Sequence, residues 1–537
     1  MLFTEKKKII KVQLVTFRDG LQSILGGKVM LKDFLPAMEC AAHLGVKHFE
    51  FGGGARFQAP YFHVGEDPFE CMRMIRNKVG PDVNLQILTR SISGVTMKTQ
   101  SREVLTLQAR LMKEYGTTWN RNFDFMYDVE LMRETGKPIV AAGMHHQIAV
   151  LMMGLPFFST EVHTPEFYID VVKRMIQSDI QIDSVCIKDP GGTAAPKDVF
   201  ETVKGVKKIM PPEMQLWFHI HDTASTAVYC YLAALEGGAD GVDLSVRPLA
   251  SGTAQPDVRS MASALRGTNY VFDFDISGID EVEALLTEGT RDYDFNPVVL
   301  TPDARVLGFP MPGGAIGPNV HMMVKAGIMH RYGEILSEFP EVLEKGGAWV
   351  AATPGSQHYW VQAFNNVLFG RWKKIDPGYG RSVLGYNGKT PLPPDPKVVK
   401  LASEQLKLQP FKGNPLDAAE NDLPLAREEL KRRGLPEDDK SVFLVAAAMV
   451  PGKSMEQNEG IRLLEGRPKI DLPLKLKNKP NKTERDLKTE AGNPRLSKER
   501  ESQAVGIQDG PLTTICKVKE DGRVRTVGIC LEKVDQS

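Results

Sequence analysis

The sequence has 537 residues, with 67 Lys and Arg against 67 Asp and Glu, so its formal net charge is zero. Proteins that bind nucleic acids or membrane surfaces usually carry a basic excess, so this balance argues against both functions. With 42% hydrophobic and 25% charged residues, the composition is that of an ordinary globular protein. The six cysteines lie far apart without CxxC spacing, which favours neither a disulfide framework nor a thiolate zinc site.

The first residues include three consecutive lysines, but no apolar run of roughly 7 to 15 residues follows them, so a secretory signal is not expected. No stretch of the sequence approaches the roughly 18 uncharged residues of a membrane helix. We therefore expect a soluble, cytoplasmic protein.

The first half of the chain alternates short β-branched runs with amphipathic stretches of helical period, a pattern typical of a parallel sheet with crossover helices. Eight strands are predicted, at residues 9–17, 46–51, 84–88, 122–127, 138–147, 184–188, 215–221 and 241–246. Predicted helices include residues 31–44, 68–79, 165–178, 196–209 and 224–236. Eight such units in about 260 residues indicate an α/β TIM (β/α)8 barrel. An open doubly wound sheet is the alternative, but its usual GxGxxG turn after the first strand is absent.

Helical periodicity replaces the strand pattern in the second half, at residues 319–336, 357–369 and 396–406. Residues 467–510 have few aromatics, and 467–500 hold 11 Lys and Arg against five Asp and Glu, which predicts a basic linker. Alternating residues around Asp521 predict a terminal hairpin. We divide the chain into a TIM-barrel catalytic domain, a helical domain that completes the barrel mouth, a flexible linker and a hairpin segment: 1–290, 291–466, 467–510 and 511–537.

A possible metal site follows from the strand ends, because the carboxyl ends of barrel strands form the functional face of this fold. His219 and His221 are two residues apart on the seventh strand, so both imidazoles point to the same side. Asp19, after the first strand, would add a carboxylate. This set suits zinc, manganese or cobalt. The alternative is an incidental histidine pair on a polar strand face.

Lys188 ends the sixth strand, where an apolar barrel would desolvate its amine and favour the neutral, reactive form. The alternative is a structural ion pair with Asp189 or Asp243. His145 and His146 are also placed near a predicted strand end. Because they are adjacent, only one can face inward, and core or rim positions are favoured for both.

Two arginines follow predicted strands. Arg90, after the third strand, could bind a substrate carboxylate in a bidentate manner, or it could form a salt bridge at the rim. Arg18 has the same two interpretations, and its neighbour Asp19 favours the structural one.

Together these segments resemble the carboxyltransferase family of biotin-dependent enzymes, over about residues 8–400. This family includes the carboxyltransferase part of pyruvate carboxylase, whether a domain or a separate polypeptide, the oxaloacetate decarboxylase alpha subunit and the transcarboxylase keto-acid subunit. Residues within 18–23, 187–191 and 219–223 match its motifs TRDxxQS, IKDxxG and HxHDT, and residues 251–256, which read SGTAQP, are similar to its SGxTxQP stretch. Its second-domain motifs are matched at residues 312–314, 362–367 and 386–391.

The resemblance implies a ligand set and catalytic residues. Asp19, His219 and His221 would bind the metal, and Lys188 would be an N6-carboxylysine whose carbamate is the fourth ligand. Arg90 would hold the carboxylate of a 2-oxo acid.

Gln22 would contact substrate or biotin. With Asp19, Lys188 and Arg90, it completes the implied catalytic set.

The implied activity is a metal-dependent transfer of a carboxyl group between carboxybiotin and a 2-oxo acid, with pyruvate and oxaloacetate as the default pair and 2-oxoglutarate as another acceptor. No AMKM-type biotin acceptor occurs, since residues 448–453 read AMVPGK, so biotin would arrive on a separate carrier. A biotin carboxyl carrier protein, a biotin carboxylase subunit and a homo-oligomer are the implied partners. The basic linker would dock an acidic partner or act as a solvated tether.

One position departs from the family pattern, which places Thr or Ser shortly after PGG for proton transfer. Here the residue is Gly317, which has no hydroxyl. Proton transfer would then need another group or a water, or the acceptor would differ from pyruvate. Two other functions stay open: a metal-dependent aldolase or acyl-CoA lyase or synthase of the same barrel superfamily, and a weakly active scaffolding subunit.

Overall fold

In the computed structural model, eight parallel strands close into a barrel. The structure describes residues 7–155, 161–325, 327–450, 452–475, 513–520 and 523–530. The barrel strands are β1 Lys8–Leu14, β2 His48–Gly53, β3 Asn84–Thr89, β4 Trp119–Asn122, β5 His145–Leu151, β6 Ser184–Asp189, β7 Gln215–Ile220 and β8 Gly241–Leu244. Strand β1 pairs with both β8 and β2, which closes the cylinder, and β9 (Tyr270–Phe272) pairs with the start of β1. The predicted TIM barrel is confirmed.

Two of the predicted strands were wrongly placed. The strand expected at 122–127 is β4, which ends at Asn122. The strand expected at 138–147 begins only at His145, because residues up to Ala141 belong to a helix that contains Pro138. In both cases an apolar segment next to the strand was mistaken for the strand. The side chains of β4 and the first residues of β5 are polar, so the hydrophobic pattern did not identify them.

Helices surround the barrel and begin where the sequence provides caps. The Asp67 carboxylate accepts hydrogen bonds from Phe69 and Glu70 N–H, and Pro68 occupies the first turn. The helices of this region are α1 Leu21–Leu25, α2 Leu31–His43, α3 Ala55–Ala59, α4 Pro68–Val79, α5 Arg102–Glu114, α6 Val129–Ala141, α7 Pro165–Ile176, α8 Pro196–Ile209, α9 Ala227–Gly237, α10 Val258–Ala264 and α11 Ile279–Gly289.

The second region is helical, with α12 Pro297–Leu300, α13 Gly313–Lys325, α14 Tyr332–Gly346, α15 Gly355–Phe369, α16 Pro377–Val383, α17 Pro396–Leu406, α18 Leu423–Arg433, α19 Asp439–Ala447 and α20 Glu459–Leu464. The single helix expected at 319–336 is two helices, because the chain turns at Gly327 with φ of 70°. Among the described residues, no helix is long and apolar enough to cross a membrane.

The helical region packs on the carboxyl ends of the barrel strands. Gly313 N–H donates to Pro190 O at 2.9 Å, and Val350 N–H donates to Phe125 O at 3.1 Å. Buried side chains of both regions form one continuous hydrophobic cluster. The barrel mouth is therefore roofed by residues that precede or begin α13 and α15.

The predicted linker begins against the barrel. Asp471 N–H donates to His63 O at 2.7 Å, and Asp294 N–H donates to Pro473 O at 2.7 Å. The rest of the predicted linker, residues 476–510, lies outside the described residues. Beyond it, β10 (Thr513–Glu520) pairs antiparallel with β11 (Arg523–Cys530), as the hairpin prediction requires.

Candidate active site at the carboxyl end of the barrel

The three predicted metal ligands converge at the barrel mouth. Asp19 lies in a single π-helical turn directly after β1, His219 lies in β7 and His221 follows it. Asp19 Oδ2 is 3.3 Å from Nε2 of each histidine. All three side chains are buried, and their ligand atoms lie within 4.8 Å of one another. The structure therefore brings together the three residues that the sequence analysis expected to meet.

Each histidine is held by its other nitrogen. His219 Nδ1 lies 2.7 Å from the Asp243 carboxylate, and His221 Nδ1 lies 2.7 Å from Thr253 O. With Nδ1 donating to these oxygens, the lone pair of each Nε2 points to the common centre. Burial lowers the pKa of His219, which favours the neutral imidazole that a metal requires.

Asp19 is kept ionised by its neighbours. Burial alone would raise its pKa, but Arg18, Lys188 and His221 hold the pKa of this carboxyl well below its usual range. Arg18 Nη2 lies 3.0 Å from Asp19 Oδ2. The site therefore has one fixed negative charge at its centre.

Lys188 lies beside this charge. The pairing of β6 with β7 sets Lys188 opposite His219, and Lys188 Nζ lies 3.2 Å from Asp19 Oδ2. The two alternative partners were wrong. Asp189 instead accepts four backbone hydrogen bonds from residues 191–194, and Asp243 pairs with another residue of the barrel interior.

Gln255 identifies the centre of the donor set. Its Nε2 lies 3.3 Å from Asp19 Oδ2, 3.2 Å from His219 Nε2 and 3.1 Å from His221 Nε2. Its Oε1 is buried without a hydrogen-bond partner. A single electropositive group thus sits where one carboxylate and two imidazole lone pairs converge, so the residues fit a divalent cation. The sequence offered Gln255 only as part of a motif.

A chain of buried charges supports the ligands from inside the barrel. Arg18 lies 2.5 Å from the Glu50 carboxylate, and Arg121 lies 3.8 Å from Glu50 and pairs with Asp243. Asp243 in turn orients His219. Sequence reasoning missed Glu50 and Arg121. Glu50 is a charged residue inside the strand predicted at 46–51, which is the kind of exception that identifies such a network, whereas Arg121 precedes the strand predicted at 122–127.

Arg90 is a buried cation that forms no ion pair with a carboxylate of the described residues. Its side chain is 3% exposed, and Nη1 donates to Thr96 O at 2.8 Å. Burial, with Arg18 nearby, lowers the pKa of Arg90 to about 9. Within the described part of the chain no carboxylate forms an ion pair with it, so the alternative of a rim salt bridge was wrong. Arg18, by contrast, has the structural role that was favoured.

Gln22 connects the barrel to its roof. Its Oε1 accepts a hydrogen bond from Ala55 N–H at 3.1 Å, and its Nε2 donates to Gly314 O at 3.3 Å. Gly314 lies in the first turn of α13. Gln22 is therefore placed in the wall of the site.

A cavity with about 40 Å³ of free volume lies among these groups. Its polar wall includes Asp19, Gln22, Arg90, Lys188 and His221, and its roof includes Pro312, Gly314, Ala352 and Thr353. Leu88, Phe123 and Leu151 supply apolar surface. The cavity can thus hold a small anion next to the donor set.

His145 and His146 were wrongly placed near a strand end. They begin β5, at the amino end of the barrel, because the strand continues to Leu151. His146 Nδ1 lies 2.9 Å from Gln181 O, and His145 stacks on Trp119. Neither contributes to the site.

Gly317 faces away from the cavity. A Cβ added at this position would lie 2.6 Å from Ser23 O and 3.6 Å from a methyl group of Val299. A side chain there would point into the contact between α13 and α1.

Comparisons with known proteins identify the class of enzyme. The HMGL-like family matches residues 10–286, more than half of the chain, and the conserved carboxylase domain matches residues 306–499. The protein therefore belongs to the HMGL-like family of barrel enzymes. The two domains in this order place it, more particularly, among the carboxyltransferases of biotin-dependent carboxylases. The family resemblance of the motifs is confirmed.

Curated relatives and solved structures agree. The chain is 29% identical over 441 residues to a pyruvate carboxylase subunit of Methanocaldococcus jannaschii, covering 82% of this chain and 76% of the relative. It is 29% identical over 450 residues to the 2-oxoglutarate carboxylase large subunit of Hydrogenobacter thermophilus, covering 82% and 67%. The carboxyl transferase domain of Rhizobium etli pyruvate carboxylase, solved with pyruvate and biocytin, superposes with a TM-score of 0.76 at 22% identity, covering 86% and 78%.

Proposed function

We propose that the protein transfers a carboxyl group between carboxybiotin, carried on a separate polypeptide, and a 2-oxo acid. The observation that carries this proposal is Arg90, a buried guanidinium with no carboxylate partner among the described residues, which shares one small cavity with Asp19 and His221. A substrate carboxylate would supply the missing negative charge.

Pyruvate and oxaloacetate are the proposed acceptor and product. The cavity offers apolar walls and Arg90, which pairs with no carboxylate in the part of the chain that the structure describes, and this suits a small monocarboxylate. Arg90 would bind the carboxylate and turn the carbonyl towards the donor set. The pyruvate carboxylase relative supports this pair, while the 2-oxoglutarate carboxylase relative makes 2-oxoglutarate the acceptor to compare with it.

Asp19, His219, His221 and a carbamate of Lys188 would hold a divalent ion such as zinc, manganese or cobalt. When bound, the ion supplies a Lewis acid for the carbonyl oxygen of the 2-oxo acid. Lys188 Nζ lies 3.2 Å from Asp19, so addition of carbon dioxide to this amine would place a carbamate oxygen beside the other ligands.

The remaining groups would position the substrates. Gln22 presents its amide at the wall of the cavity and ties it to Gly314 of the roof. Leu88, Phe123 and Leu151 would exclude water, which strengthens the field of Arg90 on a developing negative charge. A biotin carboxyl carrier protein, a biotin carboxylase subunit and further copies of this chain are the proposed partners, and cytoplasm is the proposed location.

The two other functions are less well supported. An aldolase or acyl-CoA lyase would need neither a lysine beside the metal ligands nor a carboxylase domain that roofs the cavity. A purely scaffolding subunit would not need Asp19, His219 and His221 held with their ligand atoms within 4.8 Å.

The test is a carboxyl-exchange assay with free biotin or a purified biotin carrier, comparing pyruvate, 2-oxobutyrate and 2-oxoglutarate. Metal-replete protein should exchange labelled carboxyl between oxaloacetate and pyruvate, because the cavity suits the smallest acid. Absence of exchange with all three acids would refute the proposal. Exchange with 2-oxoglutarate alone would keep the reaction and change the acceptor.

A further inference from the structure

We propose that Gln255 is a further ligand of the divalent ion, which it binds through its side-chain oxygen Oε1. The inference rests on the metal site of the proposed function. It adds to the ligand set a residue to which none of the motifs assigns a role. The position of the Gln255 amide relative to Asp19, His219 and His221 carries it.

A tight loop between β8 and α10 holds Gln255 over the barrel mouth. Ser251 and Gly252 have φ of 61° and 57°, and these two left-handed residues turn the chain back towards the barrel. Ser251 N–H donates to Gln255 O at 2.7 Å, and Asp222 N–H donates to Ala254 O at 2.8 Å. The loop is thus fixed at Gln255 itself and at the residue before it. The side chain of Gln255 is fully buried.

The terminal nitrogen of Gln255 has the spacing of a ligand atom. Nε2 lies 3.3 Å from Asp19 Oδ2, 3.2 Å from His219 Nε2 and 3.1 Å from His221 Nε2. Asp19 Oδ2 lies 3.3 Å from each histidine nitrogen. Atoms that bind one ion at about 2.0–2.2 Å lie roughly 3.0–3.6 Å apart in tetrahedral or five-coordinate geometry. The end of the Gln255 side chain therefore lies at one further corner of a ligand-sized group.

Hydrogen bonding by Nε2 does not satisfy this group. An amide nitrogen carries two hydrogens, but three acceptors face it, because each histidine donates its Nδ1 proton elsewhere. Gln255 Oε1 is a buried acceptor without a hydrogen-bond partner among the described residues, which is costly. Rotation of the amide by about 180° exchanges Oε1 and Nε2 and leaves the rest of the side chain in place. Four acceptor atoms then converge, and a cation is the group that satisfies all of them.

Gln22, the other amide at the barrel mouth, shows the contrast. Its Oε1 accepts a hydrogen bond from Ala55 N–H, and its Nε2 donates to Gly314 O, so both ends of this amide are engaged. Gln255 has its nitrogen against the donor set and its oxygen unused. Of these two amides, Gln255 is the one whose oxygen is available to an ion.

The added ligand changes the character of the proposed site. Asp19, a carbamate of Lys188 and Gln255 would supply three oxygens, and the two histidines would supply nitrogens. Carboxylate and carbonyl oxygens are ligands that suit manganese. Manganese is therefore the first ion to test.

The experiment compares Gln255→Leu, which removes the oxygen, with Gln255→Glu, which keeps an oxygen and removes the N–H donors. Gln362→Leu is the matched control, because Gln362 is an equally buried amide of α15 whose partners all belong to residues 366–376. The full chain is stripped of metal and titrated without substrate in bicarbonate buffer. Mn²⁺ binding is followed by the EPR signal of the free ion, and Co²⁺ binding by its visible absorption, which reports the ligands of the ion.

For Gln255→Leu we expect the Kd for Mn²⁺ to rise about 10- to 100-fold and the Co²⁺ absorption to change in position and intensity. Gln255→Glu should bind Mn²⁺ at least as tightly as wild type, because a carboxylate oxygen replaces the amide oxygen. Gln362→Leu should lower the melting temperature but keep the Kd and the Co²⁺ spectrum of wild type.

Wild-type affinity and spectrum in Gln255→Leu would overturn the inference. Weaker Mn²⁺ binding by Gln255→Glu would overturn it on its own, since the site would then require the N–H groups of Gln255. Absence of ion binding in wild type would overturn the metal site and the inference together. Because the titrations contain no substrate, a failure of carboxyl exchange would refute the proposed transfer and leave this result unchanged.

Discussion

At the scale of single residues, the buried charges around the site are paired with opposite charges, with Arg90 as the exception among the described residues. Arg18 and Arg121 each face buried carboxylates, and Asp19 is shared by Arg18, Lys188 and the two histidines of the donor set. Arg90 alone among these cations lacks an anion in the described residues. An unpaired buried charge costs several kcal/mol. The unpaired charge of Arg90 is therefore what a binding site for an anionic ligand requires.

Substitution of Arg90 should therefore affect acceptor binding first. In Arg90→Lys the bidentate geometry is lost, and we expect the KM for pyruvate to rise about 10- to 100-fold, with a smaller change in kcat. The measurement is steady-state carboxyl exchange. Arg73→Lys is the control, because Arg73 is 58% exposed on α4. An unchanged KM in Arg90→Lys would assign the acceptor carboxylate to another group.

Lys188 allows a test of the carbamate. In Lys188→Ala, loss of a ligand should lower the metal content after dialysis and reduce turnover at least about 10²-fold. Wild-type protein in ¹³C-bicarbonate should show a carbamate resonance by NMR that Lys188→Ala lacks. Lys208→Ala, an exposed lysine at the end of α8, should keep both the resonance and the rate. Full activity of Lys188→Ala would contradict the carbamate role.

At the scale of elements, the sequence predicted the units better than their boundaries. Helices that begin with proline and have a strong amphipathic period, such as α4 and α8, were predicted to the residue. Strand β4 was misplaced because its side chains, among them Asn120 and Arg121, are polar and pair inside the barrel. Local hydrophobicity cannot reveal a polar interior whose partners lie on distant strands. For the same reason the motifs predicted that Asp19, His219 and His221 meet, but they did not identify Glu50, whose partners lie on distant strands.

The packing of α13 on α1 gives a prediction at this scale. Gly317→Ala would bring a Cβ to 2.6 Å from Ser23 O, so we expect a loss of about 1–3 kcal/mol in stability and no gain in turnover. Gly317→Thr should be worse, because its side chain points into this contact and not into the cavity.

The matched control is Gly333→Ala. Gly333 also lies in a helix, and an added Cβ there has nothing within 4 Å. This change should be neutral or stabilising by about 0.5–1 kcal/mol, as expected of alanine in a helix. Melting temperatures and exchange rates of the two variants provide the comparison. A faster Gly317→Thr enzyme would mean that a hydroxyl at 317 can reach the substrates, contrary to the packing of α13 on α1.

At the scale of the whole molecule, the site is built from parts that are far apart in the sequence. Asp19 follows β1, Lys188 lies in β6, His219 lies in β7 and His221 follows it, while Pro312 and Thr353 come from the helical region. One hydrophobic cluster runs through both regions. The barrel supplies the charged floor and the helical region supplies the roof, so ligand binding and domain packing should be thermodynamically linked.

This linkage predicts that metal removal lowers the stability of the whole chain. An ion that binds only the folded state, at a free concentration of about 100 times its Kd, contributes about 2.7 kcal/mol to stability. Dialysis against a chelator should therefore lower the melting temperature by several degrees, and addition of zinc, manganese or cobalt should restore it. His221→Ala should remove this ion-dependent shift, because it deletes a ligand between β7 and the roof. His145→Ala should retain it, because His145 lies at the opposite end of the barrel. A shift of equal size in His221→Ala would show that the ion binds elsewhere.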